Sequence, residues 1–172
     1  SGGGDVAVGL WRKARRHGIP LRIRGCDVNP RAVEFARRRA HSRRADVGFF
    51  VLDAVNGPLP EGYDVLICSL FLHHLDENEA VALLRRMSAA AAHLVAVDDL
   101  RRHPAGAALA ALGTRILTRS DVVHVDGLRS VRAAFTIGEA SQLARTSDLH
   151  GFVIRPHWPF RFLLTWRKTL IP

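Results

Sequence analysis

The chain lacks most of what would staple a small secreted domain or carry a segment through a bilayer. It has two cysteines in 172 residues. Cys26 and Cys68 both fall in apolar, strand-like runs, which reads as two buried thiols and points to a reducing, cytoplasmic setting, not a disulfide framework. No apolar run approaches the roughly 18 residues of a membrane span, and the opening residues have no signal-peptide pattern. Lysine is nearly missing: Lys13 and Lys168 are the only two among 25 basic residues. No histidine, cysteine or carboxylate cluster has metal-ligand spacing, so no metal is expected.

What is present includes a formal net charge of +9, which invites a nucleic-acid reading. The arginines, however, are scattered, apart from Arg37-Arg38-Arg39 and Arg43-Arg44 on one expected helix. An arginine skew combined with abundant alanine reads as coding bias in a G+C-rich genome. The cluster then reads as a solvated helix face, which argues against nucleic acid as the partner.

The stretch Ser1-Gly2-Gly3-Gly4-Asp5 opens the chain. Three consecutive glycines permit positive φ and a close backbone approach to a ligand. The helix expected from Asp5 to His17 would aim its unpaired N–H groups at whatever binds there. Gly2-x-Gly4-x-x-Ala7 satisfies a dinucleotide loop loosely. Asp5 opposes that reading, because a carboxylate on the first turn repels a pyrophosphate. S-adenosylmethionine (SAM) carries an ammonium, a carboxylate and a sulfonium but no phosphate, and it suits an acid beside glycines.

The rest alternates. The first helix places Val6, Leu10 and Ala14 on one face and ends at Gly18 with Pro20 following. Leu21 to Cys26 reads as a strand closed by Asp27. Asn29-Pro30 is an N-cap with proline at the first helical position, and the helix runs to about Arg44 with Val33, Ala36 and Ala40 inward. Val47 to Leu52 is a strand ending at Asp53, followed by a Gly/Pro-rich loop. Tyr63 to Ser69 is a continuous apolar run, as in a strand buried on both faces. Asp76 and Glu79 have capping-box spacing, and the helix continues to about Ala92. His93 to Val97 is a strand ending at Asp98-Asp99. Pro104 to Thr118 reads as a helix apolar nearly all round, and residues 103–135 as a substrate-cover insertion in a single domain spanning 1–172. Thr136-Ile137-Gly138-Glu139 is a second capping box. Gly151 to Arg155 and Phe160 to Arg167 are closing strands whose short link implies antiparallel pairing. Strands alternating with helices imply βαβ units and a parallel sheet.

This order of parts resembles the class I SAM-dependent methyltransferases, in particular the small-molecule branch similar to ubiquinone/menaquinone-biosynthesis methyltransferases. The matching features are the glycine loop, Asp27 after one strand, Asp53 after the next, and Ser69-Leu70-Phe71-Leu72-His73-His74-Leu75 after the third. The resemblance implies an α/β, Rossmann-like doubly wound sheet, mostly parallel with an antiparallel C-terminal hairpin. In that family a strand precedes the glycine loop. The given sequence starts inside the loop, so a first strand and a covering helix are expected upstream of it.

Site residues follow. Gly2, Gly3, Gly4 and Asp5 would meet the methionine end of the cofactor. Asp27 closes a strand 22 residues after Asp5, where a carboxylate can accept both ribose hydroxyls. The resemblance implies that Val28 packs on the adenine, that Asp53 with Ala54 meets its exocyclic amine, and that Ser69 and Leu70 line the methionine portion, leaving S-adenosyl-L-homocysteine as product. His73 and His74 lie at the carboxyl end of a central strand, where open α/β sheets bind ligands, and imidazole takes a proton near neutral pH. Adjacent loop residues point apart, so at most one of the two is expected to face the substrate, with the other packed or bonded to backbone. His103, His124 and His157 read as surface or structural. Ser69-Leu70-Phe71-Leu72 stands where amino-directed nucleobase methylases carry a proline pair, which argues for a small apolar acceptor methylated at oxygen: a phenol, quinol or polyketide-like hydroxyl. An NAD(P)-dependent oxidoreductase and a SAM-binding or RNA-modifying module are the alternatives.

Overall fold

Two compact units, Ser1–Pro58 and Leu59–Pro172, divide the chain. The computed structural model describes residues 2–104, 131 and 133–168. The expected helix from Pro104 to Thr118, most of the 103–135 insertion and His124 lie outside the described residues.

The first unit is built from α1 (Asp5–Arg16), β1 (Ile23–Asp27), α2 (Pro30–Ser42) and β2 (Val47–Val51). Gly4 starts α1 in the left-handed region at φ 75°. A Cβ there would lie 2.8 Å from Phe49 Cζ and 3.0 Å from Ala36 Cβ, so backbone angle and packing both require glycine. Gly18, at φ 66°, follows the end of α1. The buried stripe of α1 is Val8 and Ala14, with Ala7 and Trp11 packed beside it, against Val33, Ala36, Ala40, Val47 and Phe49. This corrects the expected Val6–Leu10–Ala14 face: Val6 and Leu10 are exposed. The helix is rotated so that the glycine turn, with Gly4 itself buried, enters the core first. Asn29 caps α2 by accepting from Arg31 N–H at 2.9 Å, with Pro30 at the first position. β1 and β2 pair in parallel from Ile23↔Val47 to Asp27↔Val51. Cys26 is half-buried, not fully enclosed as expected, and burial pushes its thiol pKa up.

The second unit contains β3 (Tyr63–Ser69), a 3₁₀ turn (Leu72–His74), α3 (Glu77–Ala90), β4 (Ala91–Leu100), α4 (Ile137–Thr146), β5 (Val153–His157) and β6 (Arg161–Arg167). Its sheet order is β3-β4-β6-β5. β3 and β4 run parallel, while β6 is antiparallel to both β4 and β5. One face carries the core: Val95, Val97, Phe162 and Leu164, with Ala80, Leu83, Leu84 and Met87 of α3 and Ala140, Leu143 and Ala144 of α4 also buried. Burying each Val, Leu, Phe or Met among these contributes about 1.5–3 kcal/mol before entropy is counted. Both capping boxes form. Asp76 and Glu79 exchange bonds of 2.8 and 3.0 Å, and Thr136 and Glu139 exchange bonds of 3.2 and 2.8 Å. The expectation that Tyr63–Ser69 is buried on both faces is corrected. Val65 and Ile67 are 42% and 48% exposed, because β3 is an edge strand whose second face is uncovered among the described residues. No helix of the described residues is long and apolar enough to cross a membrane.

Candidate functional site

In the first unit, the parallel register of β1 and β2 delivers two acids to one edge. Leu52 N–H donates to the Asp27 carbonyl at 3.0 Å, so Asp53 follows directly beyond the end of β1. The Asp27 carboxylate is oriented by backbone. Gly2 N–H donates to Oδ2 at 2.8 Å and Asn29 N–H to Oδ1 at 2.9 Å. Partial burial pushes the Asp27 pKa up, the Asn29 and Gly2 N–H donors pull it down, and the group lies below the ordinary carboxylate range. The glycine turn and Asp27 are thus brought into direct contact. Val28, next in line, is 62% exposed. Asp53 is held by its own turn: Oδ1 accepts from Val55 and Asn56 N–H at 2.9 and 3.0 Å, and Oδ2 from the Asn56 side-chain amide at 2.9 Å. Gly57 N–H closes the turn on the Asp53 carbonyl at 2.8 Å, and a Cβ at Gly57 would sit 2.7 Å from that oxygen. Ala54 is half-buried within this turn.

Sequence reading missed Arg39. Its guanidinium forms an ion pair with Asp5, donates to the Gly3 carbonyl and lies 5.3 Å from the Phe35 ring centroid. Asp5 therefore has an internal cation, and the electrostatic argument from Asp5 alone is weaker than the sequence suggested.

In the second unit, the end of β3 turns sharply. Leu70 has φ 50° and donates its N–H to the Asp98 carbonyl at 2.9 Å. The Ser69 hydroxyl is buried without a hydrogen-bond partner among the described residues. Asp99, on β4, anchors the following turn and is 1% exposed. Its Oδ2 accepts from Phe71 and Leu72 N–H at 3.0 and 2.6 Å, and its Oδ1 pairs with His73 Nδ1 at 2.6 Å. A carboxylate already accepting from backbone leaves Nδ1 to carry the proton and donate. His73 is buried, whereas His74 is exposed and lies against it with ring centroids 4.1 Å apart. Partial desolvation and the neighbouring His73 lower the His74 pKa, against the pull of Asp99. A side chain that stays neutral at neutral pH can accept a proton. One histidine of the pair is thus buried and bonded to Asp99, and the other is exposed.

Asp98 reaches the opposite face of β4. Its oxygens accept from Arg161 at 3.0 and 2.7 Å, and His157 Nε2 lies 3.0 Å away. His157 thus acts structurally, as the sequence suggested, and His103 stacks on Phe160 with centroids 5.2 Å apart. The tandem acids at the end of a strand were the available signal for Asp98 and Asp99. Among the described residues no cluster of three or more histidine, cysteine or acidic side chains could hold a metal.

A family model described as a methyltransferase domain matches residues 1–93. No curated relative matches the sequence. Among solved structures, the chain is similar to an O-methyltransferase family 2 protein from Planctomyces limnophilus in complex with apigenin. The TM-score is 0.71 and identity 14%, over 98% of this chain and 48% of that one. It is also similar to magnesium protoporphyrin IX methyltransferase from Synechocystis PCC 6803 with bound S-adenosyl-L-homocysteine (SAH), at TM-score 0.67 and 17% identity, over 98% of this chain and 71% of that one. An O-methyltransferase from neocarzinostatin biosynthesis, in complex with SAH and 1,4-dihydroxy-2-naphthoic acid, gives TM-score 0.65 and 21% identity, over 99% of this chain and 47% of that one. The chain spans about half the length of the first and third of these proteins. These likenesses establish the fold.

Proposed function

This chain belongs to the methyltransferase domain family, and we propose that it transfers a methyl group from SAM to an oxygen of a small apolar acceptor in the cytoplasm. The observation that carries the cofactor assignment is the Asp27 carboxylate, fixed by Gly2 and Asn29 N–H groups at a parallel strand end. A pre-oriented acid there suits two ribose hydroxyls of a nucleoside cofactor, and the match to a methyltransferase domain over residues 1–93 favours SAM over a dinucleotide. The exposed Val28 beside it suits an adenine face. Gly2 and Gly3 leave backbone accessible near the methionine end, and the buried Gly4 makes the turn that presents them. In this reading Asp53 and Ala54 face the adenine amine, and Ser69 and Leu70 border the methionine chain. The similar structures that carry SAH, apigenin or 1,4-dihydroxy-2-naphthoic acid support the cofactor and a planar phenolic class of acceptor.

When bound, the cofactor supplies an already activated methyl group. The protein's work is then to align the acceptor, exclude water and remove one proton. We assign the proton to the exposed, neutral His74 and give His73 a positioning role, since its Nδ1 is committed to Asp99. The acceptor's hydroxyl hydrogen passes to the His74 imidazole as its O–H bond breaks.

Titration calorimetry tests the cofactor. Micromolar binding of SAM, no binding of NAD, and a loss of at least about tenfold in Asp27→Asn are expected. Tight NAD binding without SAM binding would overturn the assignment.

A further inference from the structure

At the end of the first unit away from Gly4, α1 and α2 finish side by side in an arginine cluster. The twelve residues of α1 put this end about 18 Å from the glycine turn. Arg12, Arg15, Arg16, Arg43 and Arg44 line a hollow of about 510 Å³ together with Trp11. All five arginines are exposed, and among the described residues none forms an ion pair with a carboxylate. Helix carbonyl ends favour nearby cations, which accounts for Arg15 and Arg16 but leaves the adjoining apolar surface unexplained. A second hollow, of about 260 Å³, adjoins the first and is lined by Trp11, Arg15, Gly18, Ile19, Pro20 and Leu21. Ile19 and Leu21 are 53% and 42% exposed on the loop after α1. Trp11 borders both hollows, with the Arg15 guanidinium 5.3 Å from its ring.

We propose that this end of the first unit docks on an anionic lipid bilayer. The arginines would meet lipid phosphates, Trp11 would sit at the headgroup level, and Ile19 with Leu21 would enter the acyl boundary. Each group matches the layer it would occupy: cations attracted by the surface potential, indole at the interface, aliphatic side chains beneath. Charge complementarity sets the sign of the partner. The exposed aliphatic loop selects a bilayer over nucleic acid, because a phosphodiester backbone offers branched aliphatic side chains nothing to enter.

The test is co-sedimentation of the 172-residue chain with two kinds of vesicle, phosphatidylcholine alone and phosphatidylcholine containing phosphatidylglycerol. Binding to the anionic vesicles alone, falling as salt rises, is expected. Joint replacement Arg15→Glu, Arg16→Glu and Arg43→Glu should cut partitioning by at least about tenfold. Ile19→Ser with Leu21→Ser should cut it about threefold or more at unchanged charge. Circular dichroism melting of each variant separates loss of docking from loss of fold. The proposal is overturned if wild-type chain stays in the supernatant with anionic vesicles. It is equally overturned if the loop variant partitions like wild type while single-stranded RNA competes the chain off, which would reassign the arginines to nucleic acid. SAM calorimetry on the same samples tests the methyltransferase reading separately, so either can fail without the other.

Discussion

Asp99 shows how much one side chain can hold. It is buried, it is bonded to His73, and it accepts two N–H groups of the turn that presents His74. Asp99→Ala should therefore cost on the order of 3–5 kcal/mol in urea unfolding, because removing one member of a buried set leaves its partners unsatisfied. His74 should behave differently. His74→Ala is expected to lower kcat by about 10²-fold or more with SAM affinity unchanged. Because its pKa lies below the usual histidine value, activity should rise with pH through that lowered value and be level by neutrality, and a pH–rate profile checks this. Asp27 was legible in the sequence as an acid closing a strand just before the Asn29-Pro30 helix start, but its bond to Gly2, 25 residues away, was not. Arg39 was not, since nothing in a run of three arginines says which one reaches back 36 residues to the Gly3 carbonyl. Asp99 was half legible: the pair Asp98-Asp99 was visible, but the face each takes depends on strand pairing.

At the level of elements, the caps and the glycine turn carry the strongest local information. Gly4→Ala combines a positive φ with a Cβ 2.8 Å from Phe49. A loss of at least about 2 kcal/mol in thermal or urea unfolding is expected from backbone strain and overpacking together. Thr136→Ala should cost about 1 kcal/mol by removing the cap of α4. Glu139 is held below the ordinary carboxylate range, first by the Thr136 N–H, against partial burial, with Arg102 also lowering it. A depressed carboxylate contributes stability in full above its unfolded pKa. That contribution is lost as pH falls through its folded pKa, so α4 should lose protection at its N-terminus only in acid, as hydrogen exchange can measure. Both capping boxes were readable from four-residue spacings. The inward face of α1 was not, because helical periodicity allows several rotations and the choice is made by Phe49 and Ala36 closing on Gly4.

For the molecule as a whole, the alternation of strands and helices was enough to specify α/β architecture and the antiparallel closing hairpin. Burial of individual strands was not, since an apolar run reads alike at the centre and the edge of a sheet. β3 is the case in point, with Val65 and Ile67 exposed along an edge that accepts no further strand among the described residues. β4 has the opposite character. Its neighbouring carboxylates serve opposite faces, one gripping the histidine turn and the other the β5–β6 hairpin. Sliding β4 by a single residue would carry one acid into the other's place and set Val97 or Leu100 where the second acid belongs, so either Arg161 or the His73 turn would lose its carboxylate. The tandem acids therefore work as a latch on strand alignment: there is one setting at which both hooks engage, and folding that stops anywhere else leaves at least one partner without its carboxylate.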